Sequence, residues 1–98
     1  MHPVTWHPKA LETIRDFPDE VKDRMGYLLF RLQKGEQLTE PQVKPMKDVG
    51  RGVKEIRVKG VDGVYRSFYI FLDGPEICVF HAFKKKTQKT SKKDISRR

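Results

Sequence analysis

The groups here with the chemistry to act on a phosphate are strand cations and one histidine. Arg66 lies in Val64–Leu72, a run otherwise apolar on both faces. A guanidinium buried there without an anion would be strongly unfavourable. Two anions fit: the Glu55 carboxylate on the preceding run, as a salt bridge, or a ligand phosphate gripped through parallel N–H···O bonds. Arg57 and Lys59 alternate with Glu55 along Val53–Lys59 and flank Arg66 across a hairpin. His81 stands three residues before Lys84, Lys85 and Lys86. Those cations disfavour a second positive charge on its imidazole and so favour the neutral, base-competent form. A strand histidine can equally be a packed, hydrogen-bonded core residue. Tyr65, Tyr69, Phe80 and Phe83 lie close to the cations in sequence. Most are expected in the core, with one or two free to stack on bases.

Other chemistries lack their residues. Cys78 is the only cysteine, which excludes an intramolecular disulfide framework and a cysteine-cluster zinc site. Its apolar run reads as a buried, inert thiol. His2 and His7 have no carboxylate or cysteine at ligand spacing, so no metal is expected. Neither a Gly-rich phosphate loop, nor a nucleophile elbow, nor a carboxylate pair spaced for acid–base work is present, and no cofactor is implied.

The elements that must position these groups follow from periodicity. Val4–Trp6 reads as a short edge strand. Pro8 suits a first helical turn, and Ala10, Leu11, Ile14 and Phe17 share one helical face until Pro18 stops it. Asp19 and Glu20 then suit a second helix N-terminus. Val21, Met25, Leu28, Leu29 and Leu32 form its apolar stripe, with Gly35 as the cap. The two helices are expected to pair as a hairpin. Glu36–Gly52, with Pro41, Pro45, Gly50 and Gly52, reads as loop. Val53–Lys59, Val64–Leu72 and Glu76–Phe83 are rich in β-branched and aromatic residues, and Asp62-Gly63 and Asp73-Gly74 separate them. They read as an antiparallel meander. In its first strand Ile56 and Val58 face one way, and Glu55, Arg57 and Lys59 turn a charged row to solvent or ligand. Ser91 followed by Asp94 is a helix-start pattern with room for a short last helix. The whole is a single α+β domain over residues 1–98, helices on one face of a twisted sheet.

Charge narrows the partner. The 98 residues carry 21 Lys plus Arg against 13 Asp plus Glu, a net +8. Residues 84–98 alone hold eight cations against Asp94, so nearly all the excess is one C-terminal feature. An acidic partner is implied, nucleic acid first. No apolar stretch is long enough for a membrane helix or a signal peptide, and a reducing cytoplasm is the expected location.

Three strings carry a family resemblance: Lys54-Glu55-Ile56-Arg57-Val58, Val64-Tyr65-Arg66-Ser67-Phe68-Tyr69, and Phe80-His81-Ala82-Phe83-Lys84-Lys85-Lys86-Thr87-Gln88-Lys89-Thr90. Together they resemble the RelE/HigB toxin superfamily, and within it the phage-derived HigB-like branch. The resemblance implies a RelE/ParE-like fold: an N-terminal helical hairpin on a mainly antiparallel sheet of three to four strands, with a short C-terminal helix. It implies the toxin of a type II toxin–antitoxin pair, a ribosome-dependent, metal-independent endoribonuclease that cuts mRNA in the A site by 2′-OH attack. Arg66 matches the arginine that stabilises charge in the family, and Arg57 the basic position on the neighbouring strand. Lys86 falls near a basic residue that serves as acid or stabiliser, and His81 is the candidate base or base-orienter. Some relatives use a tyrosine in the C-terminal helix; this sequence has none after Tyr69, so acid and base stay unassigned. Lys59, Lys84, Lys85, Lys89, Lys92 and Lys93 would meet RNA phosphates. The implied partners are ribosome, mRNA and an antitoxin of the helix-turn-helix kind. Two alternatives remain, a ParE-type gyrase inhibitor and a catalytically degenerate RNA-binding protein. The Arg57, Arg66, His81 and Lys86 cluster favours the nuclease.

Overall fold

The structure is a computed structural model that describes residues 1–72 and 76–85. Its elements are β1 (Val4–Trp6), α1 (Pro8–Arg15), α2 (Asp19–Gln33), β2 (Val43–Pro45), β3 (Lys54–Gly60), β4 (Gly63–Phe71) and β5 (Ile77–Lys85). The helix boundaries have the causes their residues suggest. Pro8 occupies the first turn of α1, where its missing N–H is not needed, and His7 Nδ1 accepts from the Lys9 N–H at 3.2 Å. Asp19 and Glu20 sit in the first turn of α2. At its other end Gly35, with φ of 91°, lets the chain reverse: its N–H reaches Leu32 O and the Glu36 N–H reaches Arg31 O.

The sheet has five strands in the order β1-β5-β4-β3-β2, not the three or four expected, and it is mixed. β1 runs parallel to β5, pairing Val4 with Ile77 and Trp6 with Val79. β2 arises inside the stretch read as loop, and pairs Val43 with Ile56. β1 is the short edge strand read at Val4–Trp6, whereas β2, also three residues long, is too short to show alternation and depends on its long neighbour for its register. β5 runs further than its apolar content, through Lys84 and Lys85. The Asp73-Gly74 turn and the expected C-terminal helix lie outside the described residues.

Each helix finds its main contacts in the sheet: α1 lies on β5 and α2 on β3. The hairpin expected of the two helices is thus secondary to their packing on the strands. The covered face carries Ile56, Val58, Tyr65, Tyr69, Ile77, Val79 and Ala82, which enclose a core with Ile14, Phe17 and the whole Val21, Met25, Leu28, Leu29, Leu32 stripe. Each such apolar side chain contributes ~1.5–3 kcal/mol by leaving water, which fixes which face of the sheet is left free. Among the described residues no helix is long and apolar enough to cross a membrane.

The β3–β4 turn brings three strands unusually close. A Cβ on Gly63 (φ 157°) would lie 2.7 Å from the Lys85 carbonyl oxygen. Gly63→Ala should therefore destabilise the protein by about 2 kcal/mol in urea unfolding, because backbone rather than a flexible side chain has to yield. An unchanged midpoint would show that the turn has slack.

Candidate functional site

The pleat puts three rungs on the sheet face opposite the helices. Across β3, β4 and β5 they read Glu55–Phe68–His81, Arg57–Arg66–Phe83 and Lys59–Val64–Lys85. The middle rung sets two guanidinium-bearing residues directly opposite, an arrangement that repels by itself. Glu55 resolves it. Its side chain is 1% exposed and accepts from Arg66 Nη1 at 3.1 Å (Oε1) and 3.3 Å (Oε2), while Arg57 Nε lies 3.7 Å from Oε1. One carboxylate between two guanidiniums leaves a surplus positive charge, and Lys59 and Lys85 on the next rung add to it. The salt-bridge reading of Arg66 is therefore present in the fold. It does not exhaust the arginine, whose Nε has no hydrogen-bond partner among the described residues.

Glu55 is the residue that strand alternation misplaced. The expected solvent-facing row of Glu55, Arg57 and Lys59 does share a face, but Glu55 is sealed beneath the arginines. Its position opposite Phe68, two residues from the Arg57–Arg66 pair on the same face, could be found only once register was known.

An aromatic platform adjoins the cations. The Phe68 ring lies 6.1 Å from Phe80, 5.5 Å from His81 and 5.6 Å from Phe83, and His81 lies 5.4 Å from Phe83. Tyr69 pairs with Val79 while Phe68 pairs with His81, so Phe80 is an extra residue on β5. Such a bulge re-aims side chains. His81 is exposed in mid-strand rather than packed in the core, and sits one rung from the arginine pair. Cys78 is half-buried, more open than an inert core thiol.

Other predicted residues are not gathered here. Lys84 is on the opposite face, where its ammonium donates to Asp62 at 2.7 Å beside the Tyr65 hydroxyl, which donates to the same carboxylate at 2.7 Å. Those two donors, Lys84 first, hold the Asp62 carboxyl below its usual range, and the bond to Asp62 in turn raises Lys84. Lys86, Lys89, Lys92 and Lys93 lie outside the described residues. Among the described residues no group of His, Cys, Asp and Glu is placed to hold a metal ion.

Tyr69 faces the helices and does not replace the tyrosine some relatives carry. Burial pushes its phenol up from 10 to about 12. The unfolded chain then loses this proton before the folded one does, so the stabilising effect is complete below pH 10 and vanishes as pH rises towards 12. Unfolding midpoints should fall across that window, and Tyr69, together with Tyr65 whose hydroxyl is bonded to Asp62, should ionise late in an absorbance titration. A Tyr69→Phe variant that keeps the same alkaline loss would assign it elsewhere.

The α+β fold, with helices on one face of the sheet, is similar to that of solved RelE toxin structures. The isolated E. coli RelE toxin superposes with a TM-score of 0.70 at 15% identity, covering 99% of this chain and 98% of that one. A double arginine-to-alanine variant of E. coli RelE in the free state gives 0.67 at 14% identity, covering 98% and 96%. Residues 12–97 match the family described as phage derived protein Gp49-like (DUF891), and the chain belongs to that family. No curated protein matches the sequence. The RelE-like fold expected from the sequence is thus met by the structure, and the family is the phage-derived Gp49-like one.

Proposed function

We propose that the chain is the toxin of a type II toxin–antitoxin pair, and that it cuts mRNA on the ribosome. The observation that carries this reading is the registered Arg57–Arg66 pair, held over a buried Glu55 and beside exposed His81 on a face that no described helix covers. In the reaction a ribose 2′-oxygen attacks the adjacent phosphorus and the bond from phosphorus to O5′ breaks. The products are a 2′,3′-cyclic phosphate and a free 5′-OH. A base takes the 2′-OH proton, an acid supplies one to O5′, and cations stabilise the crowded phosphorane. Arg57 and Arg66 are the cations and His81 the base or its orienter. Lys86 is the candidate acid or further stabiliser. Glu55 does not touch the substrate in this scheme; it positions both arginines and offsets their repulsion. The Phe68–Phe80–Phe83 cluster gives the bases flanking the scissile phosphate a surface to stack on.

Lys59 and Lys85 on the same face, with Lys89, Lys92 and Lys93 along the chain, supply salt-sensitive phosphate contacts. Ribosome, mRNA and a helix-turn-helix antitoxin are the partners in this reading, and the cytoplasm its location. The Lys85–Thr90 string supports placing it in the HigB-like branch. The deciding experiment maps 5′-OH ends on mRNA after purified protein is added to programmed ribosomes. New ends confined to ribosome-bound message are expected. Intact message with inhibited gyrase supercoiling would transfer the protein to the ParE-type reading, and intact message with RNA binding to the degenerate one.

A further inference from the structure

The turn between β3 and β4 is tied to the end of β5 by side chains that the candidate site does not use. Lys84 Nζ donates to Asp62 Oδ2 at 2.7 Å, and the Tyr65 hydroxyl donates to Oδ1 at 2.7 Å. The ammonium also stands 5.7 Å over the Tyr65 ring. An exposed ion pair contributes little by itself, and the Asp62 and Lys84 side chains are 57% and 38% exposed. Tyr65 changes that. It is buried, and its ring meets Phe17 edge-on at 4.8 Å, so its hydroxyl is a fixed point anchored in the core.

The backbone closes on the same spot. A Cβ on Gly60 would lie 2.7 Å from Tyr65 Cε1, so the missing side chain gives that ring its seat. Gly63 packs as closely: besides meeting the Lys85 carbonyl oxygen, its Cβ would lie 3.3 Å from Lys84 Cε. Lys84 and Lys85 are thereby fixed together. Side chains alternate along a strand, so what holds Lys84 on the helix face turns Lys85 to the arginine face. There Lys85 closes the rung next to Arg57–Arg66–Phe83.

We propose that Asp62, Tyr65 and Lys84 form a clamp that positions the end of β5, and with it Lys85, against the scissile phosphate. The catalytic consequence rests on the nuclease reading above; the hold on β5 does not. Lys84 is then a positioning residue and not an RNA contact, although it stands among the lysines expected to meet phosphates. Charge and geometry make opposite predictions for Asp62→Asn. Removing an anion adds one unit to the net +8, which would tighten RNA binding if charge alone mattered. Releasing the clamp lowers kcat, because a shift of about 1 Å in a positioned group costs up to ~100-fold.

The experiment measures cleavage on programmed ribosomes, and amide hydrogen exchange by NMR, for Asp62→Asn, Lys84→Met and their combination. Glu12→Gln, which removes one exposed carboxylate on α1, controls for the change in charge. In each of the first three kcat should fall about tenfold. KM should stay within about threefold of native, since the substrate is still bound but met by a displaced group. An equal loss in the single and double variants is the mark of one unit. Lys84→Arg, which keeps a donor for Asp62, should recover most of the rate, and Glu12→Gln should cut as the native protein does. Exchange at the Val64–Lys85 rung should quicken about tenfold in the three clamp variants while the rest of the sheet keeps its protection. Native kcat in Asp62→Asn, or losses that multiply in the double variant, overturns the proposal. So does unchanged exchange at that rung. If the native protein itself leaves message intact, the nuclease reading falls; quickened exchange then still upholds the clamp on β5, and unchanged exchange removes it.

Discussion

Arg66→Ala is expected to abolish mRNA cleavage and also to lower stability by about 3 kcal/mol, because it leaves a buried carboxylate without its nearest partner. The Arg66 side chain is 17% exposed and supplies both hydrogen bonds that Glu55 receives, whereas Arg57 stands back at 3.7 Å. Loss of activity in this variant alone therefore does not isolate chemistry from folding. The companion is Arg66→Met with Glu55→Leu, which removes the charge together with the anion that needs it. Replacing a buried ion pair with packed apolar groups is often neutral or stabilising, so urea unfolding of the double variant should return to within ~1 kcal/mol of the native protein. Its cleavage of ribosome-bound message should stay absent. Cleavage at the native rate in the double variant would remove Arg66 from the chemistry. Native stability in Arg66→Ala would show that Glu55 does not depend on the pair.

What could be read without coordinates divides by the length of chain that carries the signal. α2 was legible because five apolar residues repeat over three turns, and all five are buried as read. The three long strands were legible from composition and turns. β1 was read as an edge strand at Val4–Trp6, whereas β2 was read as loop: its three-residue ladder follows from where β3 leaves an edge. The site was half legible. Arg57, Arg66 and His81 stood out as polar residues in apolar runs, and the structure gathers all three on one face. Lys84 was grouped with them by proximity in sequence, but strand alternation turns it to the other side and Asp62 holds it there. Glu55 was named as a possible partner of Arg66, yet its complete burial depends on the aromatic rungs around it. Those exist only after β4 and β5 pair with a bulge.

Arg57→Ala separates stability from chemistry most cleanly. Its guanidinium is one-third exposed and makes a single long contact to Glu55, so the carboxylate keeps both bonds from Arg66 when Arg57 is lost. The Arg57 N–H to Gln42 survives in alanine. Stability should change by less than about 1 kcal/mol. Cleavage should fall about 100-fold or more, the scale on which one preorganised donor to a developing oxyanion acts. Because one phosphate contact goes, the log–log dependence of RNA affinity on salt should flatten by about 0.7. A folded Arg57→Ala protein that cuts message at the native rate would leave Arg66 as the only strand cation in the reaction and dissolve the paired-arginine site.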